Sequence, residues 1–283
     1  MGLLSPEEKI FIVHGLEHNV RTDGRSRLQY RPLELEVDIL PTAMGSSRVR
    51  VGSTDVIACV KANTFTPPPD KPAEGKLEFL VHFSGVADPD NEGRVSEQLR
   101  DQYTHIFNKL YSSVRLNDWC IKEKSKCWKF NVDICVVSLD GNLYDAVGFA
   151  VKSALATAVI PIVKVSHKDK GEDEFSISDD PSDTWSPNVE GIPIFVTTSK
   201  IGDAVMIDPT SQEEKCSSFS CIVACTEAGK ILCTMKTGAG SLHPTTLTNL
   251  ISKASTIGVE MNKKLRELLS TSQSGYREIL GYL

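Results

Sequence analysis

The sequence lacks the marks of a membrane or secreted protein. No apolar run is long enough to span a bilayer, and the N-terminus carries no apolar core of a signal peptide. We therefore expect a soluble, intracellular protein with no membrane partner.

An excess of positive charge is also missing. Lys and Arg number 31 against 37 Asp and Glu, which gives a net charge of −6 and a sequence pI near 5.6. A domain that grips nucleic acid by itself is more often basic. Any RNA contact is therefore expected to be local, or shared with a partner.

Motifs for zinc and for nucleophilic catalysis are absent as well. None of the eight cysteines forms a Cys-x-x-Cys pair, and most lie in apolar runs such as those around Cys135 and Cys233. The six histidines show no convincing ligand spacing, and no nucleophile-elbow motif is present. We predict free buried thiols in a reducing compartment and no metal site.

What the chain does have is the pattern of an ordinary globular protein, with 283 residues, 40% of them hydrophobic. Ser5, Pro6 and Glu8 predict a capped helix start. Alternating apolar residues and helical spacings predict a β-meander and two helices in the first half, at the following positions: strands at 33–37, 49–51, 56–60, 77–86 and 128–139, helices at 96–113 and 143–155.

The composition changes between residues 167 and 190, where acidic residues accumulate beside Ser and Pro. We interpret this segment as a linker between two halves. The second half repeats the plan with strands at 194–201, 204–208, 217–225 and 231–236 and a helix through 247–268. The predicted organisation is 7–166, linker 167–190, 191–270 and a tail at 271–283, in an α+β fold.

The order of motifs along the chain resembles the RNase PH-like proteins, from about Glu7 to Leu268. The motifs that carry the resemblance are Arg21-Thr22-Asp23-Gly24-Arg25 with Tyr30-Arg31-Pro32, Gly45 to Val56, Asp140 to Ala146, Ser199 to Gly202, and Asp208-Pro209 with Glu213-Glu214. The resemblance implies an RNase PH-like fold of two β-sheet-plus-helix halves (ribosomal protein S5 domain 2-like). Within the family the chain looks closest to the non-catalytic exosome branch that includes exosome component seven.

Active members of this family bind inorganic phosphate at a turn that reads Gly-Gly-Thr-Arg. The corresponding residues here are Gly141, Asn142, Leu143 and Tyr144. A phenol cannot replace a guanidinium that is always charged, and Asp145 adds negative charge beside it. The resemblance therefore predicts a degenerate phosphate loop and no catalytic residues.

The carboxylate pair that holds a divalent metal in active members is also missing from the aligned positions. By alignment its positions fall on Trp185 and Gly191, neither of which can ligate a metal. Nearby acids, namely Asp179, Asp180, Asp183 and Glu190, are interpreted as a solvated acidic loop. We expect no metal and no cofactor.

Five arginines are candidates for RNA contact. Arg94 and Arg100 lie near the family's RNA-facing helix, and Arg25, Arg48 and Arg50 belong to a basic cluster in an acidic protein. Arg25, Arg48 and Arg50 either line an RNA path or meet an acidic partner face, or they make ordinary surface salt bridges. Arg94 and Arg100 either contact RNA or belong to a charged helix face. The sequence leaves these interpretations open.

Taken together, the resemblance implies a non-catalytic subunit of the RNA exosome ring that helps to guide RNA for 3′-to-5′ processing and decay. The implied partners are other RNase PH-like subunits in a six-member ring, an RNA-binding cap subunit, and RNA in the channel. The implied location is the nucleus, including the nucleolus, and the cytoplasm. Two alternatives stay open, an active phosphate-dependent 3′-to-5′ exoribonuclease and a stand-alone RNA-binding module.

Overall fold

A computed structural model of the chain describes residues 4–85, 94–167, 173–178, 180, 182–272 and 279–280. Its first half contains, in chain order, α1 (Pro6–Glu17), β1 (Leu33–Val37), β2 (Gly45–Val51), β3 (Thr54–Phe65), β4 (Lys76–Phe83), α2 (Arg94–Leu110), β5 (Cys120–Lys122), β6 (Lys126–Ser138) and α3 (Leu143–Ala156). The connection and second half contain β7 (Ile160–Pro161), β8 (Val163–His167), β9 (Asp173–Ile177), β10 (Thr184–Trp185), β11 (Ile194–Ile201), β12 (Ala204–Ile207), α4 (Ser211–Cys216), β13 (Phe219–Cys225), β14 (Ile231–Thr237), α5 (Pro244–Ser272) and β15 (Ile279–Leu280).

Two sheets organise the molecule. The larger has the strand order β15-β1-β2-β3-β6-β4, with β5 paired to β6, and the smaller has the order β12-β11-β13-β14. Neighbouring strands run antiparallel except for β4 and β6, which run parallel. The predicted strands thus form two separate sheets, one in each half.

Helix α3 lies between the two sheets and is buried along nearly its whole length. Its small residues permit a close approach, because a Cβ on Gly148 would lie 3.0 Å from the backbone nitrogen of Phe195 in β11. On the other side, Gly45 of β2 packs directly against the end of α3 at Ala154. The helix therefore joins the two halves through one continuous apolar core.

The start of α1 confirms the predicted capping box. The Ser5 side chain accepts a hydrogen bond from the Glu8 backbone N–H, and the Glu8 carboxylate accepts one from the Ser5 N–H at 2.7 Å. Helix α2 ends at Leu110, before a short 3₁₀ turn that the apolar spacing had included in the helix. Strand β4 ends at Phe83, short of the predicted end at residue 86, which lies outside the described residues.

The acidic segment 167–190, predicted as a linker, contains paired strands. Strand β9 pairs with β8 as a two-stranded sheet, and β10 pairs with β7. Part of the predicted tail is also paired, because Leu280 of β15 lies opposite Leu33 of β1. Strands β7, β10 and β15 have two residues each, too few to show alternation, whereas β8 and β9 alternate at Val163 and Val165 and at Phe175 and Ile177.

Among the helices in the described part of the chain, none has the length and apolar character needed to cross a membrane. All eight cysteines fall within the described residues, and each is a free thiol.

Candidate functional site

The turn between β6 and α3, which the sequence resemblance aligns with the family's phosphate turn, is closed here by the second half. Gly141 and Asn142 reverse the chain in left-handed conformations, with φ of 78° and 53°. A Cβ on Gly141 would lie 2.6 Å from the backbone nitrogen of Ser211 and 2.7 Å from the carbonyl oxygen of Pro209. Glycine at this position therefore allows the second half to pack directly onto the turn.

The backbone donor of the turn is taken by a side chain of the same protein. The N–H of Asn142 donates to Oε1 of Glu214, on α4, at 2.8 Å. Burial raises the pKa of Glu214, while the Asn142 N–H and the Arg31 charge favour its ionised form. The first residues of a helix are where an anion binds best. Glu214 therefore occupies a donor that a phosphate would need.

Tyr144 stands at the position where active relatives carry arginine. Its ring centroid lies 5.8 Å from that of Tyr103 and 5.8 Å from that of Phe107, both on α2. Burial raises the pKa of the Tyr144 hydroxyl. The side chain thus packs α3 against α2, and its aromatic character provides no cationic group for phosphate.

Asp145 lies at the centre of the turn's hydrogen bonds. Its carboxylate accepts from the Tyr30 hydroxyl at 2.8 Å, from the Asn142 amide at 2.9 Å and from the Thr197 hydroxyl at 2.7 Å. Burial raises the pKa of Asp145 to about 7, although all three donors favour the ionised form. The carboxyl group is therefore partly protonated at neutral pH and ties β11 to the turn.

Beside the turn lies a buried arginine cluster, which we define as Arg21, Arg25 and Arg31 with Asp208 and Glu213. Arg31 donates to both carboxylate oxygens of Asp208, at 2.8 and 3.0 Å, and to the carbonyl oxygen of Asp140 at 2.7 Å. Arg21 donates from Nε to Glu213 at 2.9 Å. The cluster links the segment before β1 to Asp208, which lies between β12 and α4, and to Glu213, which lies in α4.

The pKa of Asp208 is shifted in the opposite direction to that of Asp145. Burial alone would raise the pKa of Asp208, but the charge of Arg31 and hydrogen bonds from Arg31 and Asn142 outweigh it and lower that pKa. Two buried carboxyl groups joined by one asparagine therefore have pKa values shifted in opposite directions.

Arg25, one of the five candidates for RNA contact, is buried within this chain, and its contact with RNA stays a prediction. The residue is only 3% exposed, and its guanidinium donates to Asp208 at 2.9 Å and to Asp23 at 2.7 Å. The second half of the chain supplies the covering surface, which local sequence could not indicate. Arg25 forms ion pairs with Asp23 and Asp208, but they are buried and are not the surface salt bridges of the alternative interpretation.

Arg48 and Arg50 lie on the face of the larger sheet that points away from α3. Both guanidinium groups bond Asp55, at 2.6 Å for Arg48 and 3.1 Å for Arg50. Their side chains are 27% and 34% exposed. The groups are paired within the chain, and their contact with RNA stays a prediction.

Helix α2 carries the other two candidates. It begins at Arg94, whose side chain lies outside the described residues, and Arg100 is 39% exposed beside Asp101. Farther along, Thr104 accepts the backbone N–H of Val81, and Phe107 is fully buried. Thr104 and Phe107 therefore serve packing. Of these three residues, Arg100 is the one that places a positive charge at the described surface of the helix.

The two positions aligned with the metal pair do not fit a divalent cation. Trp185 pairs with Ile160 through the backbone, and Gly191 has no side chain. Of the nearby acids, Asp180 accepts from Ser182 and Asp183 accepts from Ser178, both at 2.6 Å, while Asp179 lies outside the described residues. Across the described part of the chain, no group of three His, Cys, Asp or Glu side chains is placed to hold a metal ion.

Sequence reasoning missed α4, which supplies both Glu213 and Glu214. A signal was present, because Thr210 and Glu213 have the spacing of a capping box, and the structure contains both of its hydrogen bonds. That signal would have found the helix, although not the contact between Glu214 and the turn.

Comparison with known proteins gives a consistent result. Residues 29–161 match domain 1 of the 3′ exoribonuclease (RNase PH) family, and residues 191–257 match its domain 2. A Dictyostelium discoideum protein named putative exosome complex exonuclease RRP42 is 32% identical over 322 residues, covering 95% of this chain and 99% of that protein. Exosome complex component Rrp42 of Thermoplasma acidophilum is 32% identical over 271 residues, covering 94% and 96%.

Solved structures share the architecture. A chain of the Archaeoglobus fulgidus exosome with RNA bound to the active site matches with a TM-score of 0.72 and 23% identity, over 90% of this chain and 96% of that one. Rice (Oryza sativa) Rrp46 matches with a TM-score of 0.64 and 18% identity, over 88% and 100%. The RNase PH-like α+β fold predicted from the motifs is confirmed.

Proposed function

Since the chain belongs to the 3′ exoribonuclease (RNase PH) family, we propose that it is a non-catalytic ring subunit of an RNA exosome. It would help to form the central channel that guides RNA for 3′-to-5′ processing and decay. Relatives named Rrp42 that span nearly the whole chain support ring membership. The placement in the branch of exosome component seven is part of this proposal.

The observation that supports inactivity is the occupied turn. Phosphorolysis needs stabilisation of negative charge on phosphate, normally by backbone donors and a fixed cation. Here the Asn142 N–H bonds Glu214, and the arginine position holds Tyr144 within an aromatic cluster.

The decisive experiment uses the purified chain with a short 5′-labelled RNA, inorganic phosphate and Mg²⁺. We expect no nucleoside diphosphates, while an active RNase PH enzyme in the same buffer serves as the positive control. Release of nucleoside diphosphates by the isolated chain would establish the active-exoribonuclease alternative instead.

Ring membership is tested by co-expression with RNase PH-like exosome subunits from the same source. We expect a stable hetero-oligomer with the mass of a six-member ring, which then binds an RNA-binding cap subunit. A monomer that ignores every such partner would contradict the proposal. Tight RNA binding by that monomer at physiological salt would favour a stand-alone RNA-binding module.

The proposal includes a location in the nucleus, with the nucleolus, and in the cytoplasm, because the proposed RNA processing and decay take place in both compartments. Fluorescence imaging of the tagged chain checks this, and confinement to any other compartment would contradict it.

A further inference from the structure

The hairpin formed by β8 and β9 has one apolar face. These strands pair with each other and with neither main sheet. Val163 lies opposite Ile177, and Val165 lies opposite Phe175. Residues directly opposite in an antiparallel pair share a face, so these four form one surface. Lys164 and Ser176, the opposite pair between them, take the other face.

The apolar face is incompletely covered by this chain. Ile177 is 62% exposed, the largest exposed fraction among the apolar residues of the hairpin. Among the described residues, Val163 packs against the main core, whereas Val165, Phe175 and Ile177 join none of the three apolar clusters. A two-stranded hairpin is marginally stable in water by itself. Covering this face would therefore stabilise the hairpin.

The segment around the hairpin carries the whole net charge of the protein. Residues 167–190 contain eight acidic residues and two lysines, a net charge of −6. The rest of the chain has 29 basic and 29 acidic residues and is therefore neutral overall.

Asp180 and Asp183, in the described part of this segment, have pKa values below the ordinary value of a carboxyl group. Hydrogen bonds from Ser182 lower the pKa of Asp180, and those from Ser178 and Lys164 lower the pKa of Asp183. Asp183 accepts a hydrogen bond from Ser178, the residue after Ile177, so acidic charge borders the described end of the apolar face. Such charge repels RNA phosphates and attracts Lys and Arg.

We propose that the apolar face of the β8–β9 hairpin is a docking surface for a neighbouring protein subunit, one that presents an apolar patch bordered by Lys and Arg. The inference rests on the proposed function, in which the neighbours are RNase PH-like ring subunits. The apolar face of the hairpin would be one contact surface of the chain, and the partner surface that meets it would be positively charged.

The test compares two substitutions on the same strand. Ile177→Asp places a charge on the apolar face, and Ser176→Asp places the same charge on the opposite face. Both side chains are exposed, so both variants should fold, as circular dichroism and thermal unfolding would verify. In binding assays with purified RNase PH-like subunits, we expect Ile177→Asp to weaken association roughly tenfold or more, and Ser176→Asp to change it little.

A second variant tests the charge. Replacing Asp180 and Asp183 by asparagine changes no residue of the apolar face. We expect slower association and a weaker dependence of the association rate on NaCl than in the wild type, because fewer charges steer the encounter. An unchanged salt dependence would refute the predicted basic border.

The outcomes separate this inference from the proposed function. If the wild type assembles and Ile177→Asp assembles equally well, the docking surface is refuted while the ring proposal stands. If the variant forms the ring and loses only the cap subunit, the assigned neighbour is wrong. If the wild type assembles with none of the ring subunits, both proposals fail.

Discussion

Two sets of arginines follow one another closely in the sequence and lie in opposite surroundings. Arg25 and Arg31, in the buried arginine cluster, are 3% and 5% exposed and bond Asp208. Arg48 and Arg50, on the outer face of the larger sheet, are 27% and 34% exposed and bond Asp55. Each set has two arginines around one aspartate, so chemical type does not distinguish them.

The difference lies in burial and in sequence distance. Arg31 and Asp208 are 177 residues apart, so their pair forms only when the two halves pack. Arg50 and Asp55 are five residues apart, across one hairpin. Coulomb attraction and the cost of an unpaired charge both grow as water is excluded. The buried pairs should therefore govern assembly of the fold, and the outer pairs should contribute little.

The largest effect is expected for Arg31→Ala. The substitution removes the guanidinium that bonds both oxygens of Asp208 and leaves that carboxylate short of partners inside the protein. We expect a loss of about 3–5 kcal/mol in the free energy of unfolding, measured by urea denaturation. The matched control is Arg48→Ala. Equal losses for the two variants would remove the distinction between the two sets.

The pH dependence of stability sharpens the same comparison. The pKa of Asp145 is about 7 in the folded protein, above its ordinary value of 3.8. Its contribution is therefore fully present below pH ~4 and is lost as pH rises through ~7, by an amount on the order of 4 kcal/mol. Asp208 acts in the opposite sense, because its lowered pKa gives stability that is lost as pH falls below its ordinary value of 3.8.

Unfolding free energies at pH 5 and pH 8 test this expectation. Asp145→Asn should lose much of the decline between the two values, whatever its absolute stability, because asparagine does not titrate. If the variant keeps the full wild-type decline, another group titrates in that range and Asp145 is not its source.

The smallest effect is expected for Arg50→Ala. Asp55 keeps its bonds to Arg48 in this variant, and the lost pair is partly solvated. We expect a loss below about 1 kcal/mol that shrinks further in 1 M NaCl. Thermal unfolding at two salt concentrations measures it, and a large, salt-independent loss would show that the outer pairs resemble the buried ones.

Much of the fold could be predicted from the sequence, because short-range patterns determine it. Alternation gave β1, helical spacing gave α3, and Ser5 with Glu8 marked the start of α1. The two-residue strand β7 was missed since it is too short to show a period, and β9 was missed because its acidic composition was interpreted as a linker.

By itself, the sequence determined which side chains the phosphate turn offers: a phenol at position 144 in place of arginine, and glycine at 141. Only the tertiary structure decided that Glu214 bonds that turn, that Arg25 is buried, and that the hairpin leaves an apolar face uncovered. The physical reason is the distance along the chain over which each kind of interaction acts. Caps and periodic patterns act within a few residues, whereas burial and pairing of a charge depend on groups brought together from distant parts of the chain.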